Sequence, residues 1–361
     1  MLAKEASLEE LRFLTGLARA APDPILRRLL LEDLVWTASR GGAQSQDFLL
    51  RAAALSPPEY FPRSDLIDLL ESRLRPPRYD ADVLIVTVKK PELDAVLSAF
   101  DLPSSDMGFP IPGGARFWRA KLPRARSATP LSLLITVVGE AQNYKMSSFM
   151  HTVLSHCRPR LAVLVGMAAG QKRKVNLGNV VVASEVVDYA NAVLTEEEVI
   201  PDPQNFLVEQ TLTRPIYLFD RIREAWYADL HARLDEAVRQ LAETGITLPA
   251  AVRNRPASFL PRLDLGVILA GDLLMEDESL QFRADQLKRR RALAAEMEGA
   301  GFACICREAH LSWMVFRGVA DFGGPNRRKD WQFVAALAAA TALRLLLSSL
   351  LLDLGTIEQP S

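Results

Sequence analysis

The chain is poor in residues that bind metals or cross-link folds: its 361 residues include 3 cysteines and 4 histidines. Cys157, Cys304 and Cys306 stand in apolar surroundings without zinc-ligand spacing, and the histidines are scattered. Neither a disulfide framework nor a metal centre is expected, and thiols of this kind fit a reducing, cytoplasmic compartment. An excess of one charge is missing too. Lys and Arg total 43 against 44 Asp and Glu, so the net charge of -1 removes the bulk attraction on which a nucleic-acid partner would rely. The N-terminus has no basic segment leading into an apolar run with a small-residue cleavage site, so no secretion signal is expected. Long unbroken apolar runs are also absent. The strongest, Phe333 to Leu352, is interrupted by Arg344 and by Ser348-Ser349. A spanning helix needs about 20 mostly uninterrupted apolar residues, so this segment reads as a buried or interface helix.

What is present suits one large domain and a small one: 49% of residues are hydrophobic and 24% charged. Residues 1–77 read as a separate, small all-α helical bundle. Ser7-Leu8-Glu9-Glu10 fits a capping box, and Leu26, Leu29, Leu30 and Leu34 mark an apolar stripe, as do Leu66, Leu69, Leu70 and Leu74. Arg75-Pro76-Pro77-Arg78 ends the segment, because paired prolines cannot continue a helix. The domain of residues 78–361 then begins with a different texture. Val83 to Val88, Leu133 to Val138, Leu161 to Val165, Val180 to Ala183, Val267 to Leu269 and Trp313 to Phe316 are short apolar runs separated by helical stretches, the pattern of a sheet flanked by helices.

Titratable and small residues collect at the ends of these runs. Lys89-Lys90-Pro91-Glu92 follows the first, Gly166-Met167-Ala168-Ala169-Gly170 the third, and Gly271-Asp272-Leu273-Leu274-Met275 the strand at Val267 to Leu269. Met297-Glu298-Gly299-Ala300-Gly301 opens a helix, and Arg317-Gly318-Val319-Ala320-Asp321 ends the last strand. Taken singly, each is ordinary. Glu92 and Glu298 are acids that a helix dipole favours in a first turn, and Asp321 suits a turn before Gly323-Gly324. Their occurrence together, in this order, is specific.

The set resembles the nucleoside phosphorylase superfamily, in particular its branch of methylthioadenosine and S-adenosylhomocysteine nucleosidases, over most of residues 80–350. The resemblance implies a three-layer αβα domain with a mixed, partly closed central sheet. It implies that Asp321 serves the purine N7, directly or through a relay, that Glu298 holds the ribose, and that Glu92, oriented by Arg317, activates water. Met297, Leu274, Met275, Gly166 and Ala168 would line the substrate site. No cofactor or metal is implied. Breaking a purine N-glycosidic bond needs a proton for the leaving base and an anionic partner for a cation-like sugar, which this set supplies.

Three departures bear on the substrate. Ala320 stands where the nucleosidases commonly have serine, removing a hydroxyl near N7. Leu164 and Met167 stand where the hexameric bacterial phosphorylases carry an arginine and a serine for phosphate, which favours water as nucleophile. Lys89, followed by Lys90, replaces an apolar residue facing the 5' end, and a cation there suits a phosphate. Lys329-Asp330-Trp331-Gln332 also resembles the Lys-x-Trp-Gln segment of nucleoside phosphorylase-like effector domains, and a small helical module ahead of such a domain resembles the death-like or effector-associated adaptors of bacterial conflict systems. The expectation is a homo-oligomeric nucleotide nucleosidase that releases adenine from ATP or a related nucleotide in antiviral defence, with residues 1–77 contacting a protein partner. A salvage nucleosidase or phosphorylase is the alternative within enzymes, and a non-catalytic nucleotide sensor the alternative outside them.

Overall fold

The computed structural model describes residues 79–111, 113–125, 127–190, 192–194, 199–240, 246–272, 284–285, 287, 289–323 and 329–356. The expected helical module of residues 1–77 and the expected substrate residues Leu274 and Met275 therefore lie outside the described residues. The described strands are β1 (Val83–Thr87), β2 (Phe109–Pro110), β3 (Arg116–Arg124), β4 (Ser127–Val137), β5 (Leu161–Gly170), β6 (Val180–Asp188), β7 (Ala192–Leu194), β8 (Val199–Pro201), β9 (Gln204–Leu207), β10 (Leu263–Ala270), β11 (Ala292–Glu296) and β12 (Ser312–Asp321). The longer helices are α1 (Lys90–Ala99), α2 (Asn143–His156), α3 (Arg223–Arg239), α4 (Gly299–Glu308) and α5 (Gln332–Ser348).

Ten of these strands form one mixed sheet in the order β11-β10-β6-β12-β5-β1-β4-β3-β2, with β9 added on β6. β1 pairs in parallel with β4 and β5, and β12 in parallel with β5. β12 is antiparallel to β6 over Phe316, Arg317 and Gly318. The far end of β5 turns to meet β11, where Gly170 pairs with Ala294 and Ala169 with Ala295, antiparallel. That short pairing closes β11, β10, β6, β12 and β5 into a barrel-like ring, which is the mixed, partly closed α/β sheet expected from the sequence. Strands this apolar are buried on both faces: all five residues of β1 and nine of the ten in β12 are buried.

The Phe333–Leu352 run forms α5 and its C-terminal extension. Among the described residues, Lys329–Ser348 is the one helical stretch long and apolar enough to cross a membrane, and it is mostly buried inside the fold. Its alanines let it lie directly on β12: a Cβ at Gly318 would fall 1.9 Å from the Ala335 carbonyl oxygen. Trp226 of α3 is fully buried against it and donates to Thr341 Oγ1 at 3.0 Å. Asp101, Arg233, Asp229 and Arg344 add a closed ring of ion pairs joining the end of α1 to α3 and α5, at 3.0 to 3.3 Å.

Candidate active site

The pocket opens at the carboxyl ends of β1, β5, β12 and β6 and at the junction of β11 with α4. It is lined by Lys89, Glu92, Met167, Ala168, Ala169, Tyr189, Glu296, Met297, Glu298, Ala320, Asp321 and Gln332, among others. At its floor lies Arg317, which has no exposed surface. Its Nη2 donates to Glu298 Oε2 at 3.0 Å and to Glu296 Oε2 in a shorter contact, while Nη1 lies 3.6 Å from Glu92 Oε1. Three carboxylates from three parts of the chain thus meet one guanidinium, whose planar fork can serve them all.

Glu92 is held from every side. Its Oε2 accepts from the backbone N–H groups of Val88 and Lys89, each at 2.8 Å, and its Oε1 accepts from Met167 N–H at 2.9 Å. Pro91 opens α1 and Lys89 is its N-cap, so the turn that places Glu92 follows directly from the Lys-Lys-Pro-Glu order. Glu296, at the end of β11, spans the bend into α4 by accepting from Glu298 N–H at 3.1 Å and Gly299 N–H at 2.9 Å. That bend leaves Glu298 as the N-cap of α4, facing the pocket.

Three acids and one fixed cation cannot all be ionised cheaply in a buried site. Burial pushes the Glu298 carboxyl up to about 8; Arg317 opposes the shift, and Glu296 and Glu92 add to it. At neutral pH this shift favours the protonated form of Glu298. For Arg317, burial acts to lower the pKa, but Glu296, Glu298 and Glu92 reverse this and raise it.

Asp321 sits half-buried at the end of β12, its Oδ1 accepting from Gly323 N–H at 2.8 Å. Beside it Ala320 lines the same pocket. Met297 and Ala168 also reach the pocket, whereas Gly166 lies behind the lining, between Glu92 and Arg317. The two lysines separate. Lys89 lines the pocket, but Lys90 turns to Asp94 on the next turn of α1, 2.6 Å away. Nearby, Lys174 donates to the carbonyls of Arg290 and Ala292 and thereby ties down the start of β11.

Sequence reasoning passed over Glu296, Tyr189 and Gln332 as site residues. Glu296 had a signal, two acids either side of Met297. Tyr189 follows β6 and is fixed by the backbone beyond β10: a Cβ at Gly271 would come within 2.5 Å of its ring. Asp272, next to it, accepts from the Asn143 backbone N–H at 2.7 Å, and Asn143 Oδ1 accepts from Gly301 N–H at 2.9 Å. The Gly-Asp turn is thus tied to the starts of α2 and α4.

This arrangement has relatives. Residues 85–351 match the model of the phosphorylase superfamily. The chain belongs to that superfamily. It is 25% identical over 259 residues to the ATP nucleosidase Cap17 of Escherichia coli (strain KTE188), a match covering 72% of this chain and 49% of that protein. It is 29% identical over 195 residues to the 5'-methylthioadenosine/S-adenosylhomocysteine nucleosidase of Mycobacterium bovis, covering 52% of this chain and 69% of the relative. The chain thus spans about half the length of the Cap17 protein. Among solved structures, the S-adenosylhomocysteine nucleosidase of Streptococcus pyogenes superposes with a TM-score of 0.51 at 15% identity, over 74% of this chain and 97% of that one. A nucleosidase-like protein of Borrelia burgdorferi, described as putative and bound to adenine, gives 0.51 at 14%, over 73% and 98%. These likenesses show the superfamily's mixed α/β fold.

Proposed function

We propose that the chain is a purine nucleotide N-glycosidase that releases adenine by hydrolysis, with ATP or a related adenine nucleotide as substrate. The observation that carries this reading is the meeting of Glu92, Glu296 and Glu298 on Arg317 in the pocket that Asp321 enters from β12. In this reading a water attacks C1' and gives its proton to Glu92. The C1'–N9 bond breaks, its electron pair passes to the purine, and a proton delivered through Asp321 reaches N7. Glu298 meets the ribose hydroxyls, and its protonated carboxyl offers both a donor and an acceptor for them. From ATP the products are free adenine and ribose 5'-triphosphate.

The nucleotide preference rests on Lys89, which places a cation on the pocket lining, and on the similarity to a protein named as an ATP nucleosidase. Residues 1–77 would serve as an adaptor that receives a protein partner, giving an effector of antiviral defence. A cytoplasmic homo-oligomer is part of the same proposal. The reading of a methylthioadenosine nucleosidase draws support from the M. bovis relative.

The deciding experiment is product analysis of the full chain with ATP, AMP, adenosine and methylthioadenosine, each with and without phosphate, with Asp321→Asn as control. Adenine from ATP without phosphate is the expected result. Adenine from methylthioadenosine alone returns the protein to salvage metabolism, and a sugar phosphate formed only in the presence of phosphate makes it a phosphorylase.

A further inference from the structure

Gln332 is the first residue of α5 and lines the pocket together with Ala320 and Asp321. Its position follows from the way α5 lies on β12. Ala335, one helical turn later, touches Gly318, and Asp321 lies three residues beyond Gly318, so helix start and strand end arrive at the same place. The residue before it is also anchored: the Trp331 ring packs edge-on against Phe259 at 5.8 Å, and both rings cover Gly178, whose would-be Cβ would touch them. The start of α5 is thereby pinned. The Gln332 side chain is half-buried, and among the described residues its amide makes no hydrogen bond.

A carboxamide held at a pocket wall without a partner, next to the carboxylate assigned to N7, offers one donor group and one acceptor to a flat polar edge. Next to N7, a 6-aminopurine presents a donor at its 6-position, the N6 amine, whereas a 6-oxopurine presents an acceptor, O6. Ala320 can supply neither, because its side chain is a methyl. We propose that Gln332 reads the 6-position edge of the purine beside Asp321 and so sets base specificity, its rotatable amide admitting both 6-amino and 6-oxo bases. The proposal rests on the reading that this pocket takes a purine, and goes beyond it by assigning the residue that selects among purines.

Equilibrium binding of free adenine and of free hypoxanthine to the full chain, by titration calorimetry, tests it without reference to turnover. Gln332→Ala is expected to weaken both bases about tenfold, as loss of a hydrogen bond in a partly buried site does. Gln332→Glu offers acceptors alone when ionised, so at neutral pH it should hold adenine within about threefold of the parent and lose hypoxanthine by more than tenfold. Thermal denaturation of each variant checks that the fold is intact. Adenine binding within twofold of the parent in Gln332→Ala, or equal losses of the two bases in Gln332→Glu, overturns the assignment to Gln332 while leaving the purine reading standing. A parent chain that binds no purine overturns both.

Discussion

Arg317 and Glu92 meet across a space that exists only because residue 166 has no side chain. Their Nη1 and Oε1 atoms are 3.6 Å apart, and a Cβ on Gly166 would lie 2.4 Å from the nitrogen and 2.2 Å from the oxygen. Gly166→Ala is therefore expected to force the pair apart within a packed core. Overpacking of this kind costs about 1–3 kcal/mol, and any turnover that depends on Glu92 should fall at least about a hundredfold, because catalytic geometry tolerates little displacement. Denaturant unfolding and steady-state rates on the same preparation would check both.

Arg317→Met leaves three buried acids without their cation. Removing one partner of a buried ion pair destabilises by about 3–5 kcal/mol, and here several pairs go at once. The expected outcome is a chain that folds poorly or takes up protons on folding at neutral pH, measurable by unfolding midpoints between pH 5 and pH 8.

Asp321→Asn should behave in the opposite way. The acceptor for Gly323 N–H survives in an asparagine, so stability should change by less than about 0.5 kcal/mol. Turnover should drop by about 10²–10⁴, the usual worth of a positioned acid or base. An inactive variant that melts like the parent is the result that assigns chemistry to Asp321.

The raised Glu298 carboxyl makes a prediction about pH. Its ordinary value is 4.5 and its folded value about 8, so between these limits the folded chain holds a proton that the unfolded chain has released. Its stabilising contribution is complete below about 4.5 and is lost as pH rises through about 8. Glu298→Gln, neutral at every pH, should flatten the decline of melting temperature across that range. An unchanged slope in the variant would mean that another group carries the proton.

The two adjacent lysines should differ. Lys89→Met is expected to raise KM for ATP about tenfold and leave adenosine unaffected. Lys90→Met should alter neither by more than about twofold, since its ammonium is engaged by Asp94. Steady-state kinetics with the two substrates separates them.

Glu92, Arg317 and Asp321 stood out because each lies beside or within an apolar run that reads as a buried strand, and sites in α/β sheets gather at strand ends; Glu298 stood out only through the resemblance of Met297-Glu298-Gly299-Ala300-Gly301 to the superfamily's motif. The same runs made the mixed sheet legible. What stayed hidden depends on which ends converge. Tyr189 follows β6 and Gln332 starts α5, and nothing local in either says that it lines the pocket with Asp321; Glu296, at the end of β11, carried only the hint of a second acid beside Met297. β3 escaped for a different reason: Arg116, Arg119, Lys121 and Arg124 interrupt Phe117, Trp118 and Leu122, giving a half-exposed strand without a continuous apolar signal. Lys90 shows the limit in the other direction, because two neighbouring lysines read alike in sequence until the turn sends one to the pocket and the other to Asp94.

β5 is paired with β1 on one edge and β12 on the other, and its last residues reach β11. The pieces of chain bearing Glu92, Asp321 and Glu298 all hang from strands joined to that central one, so the amides of β5 should be the slowest in the domain to exchange with deuterium. A chain emerging from the ribosome would have no working pocket until β12, more than 150 residues after the start of β5, has been made and paired. Any chemistry that depends on this pocket then arrives only with completed folding, and a truncated or nascent product lacks the assembled site.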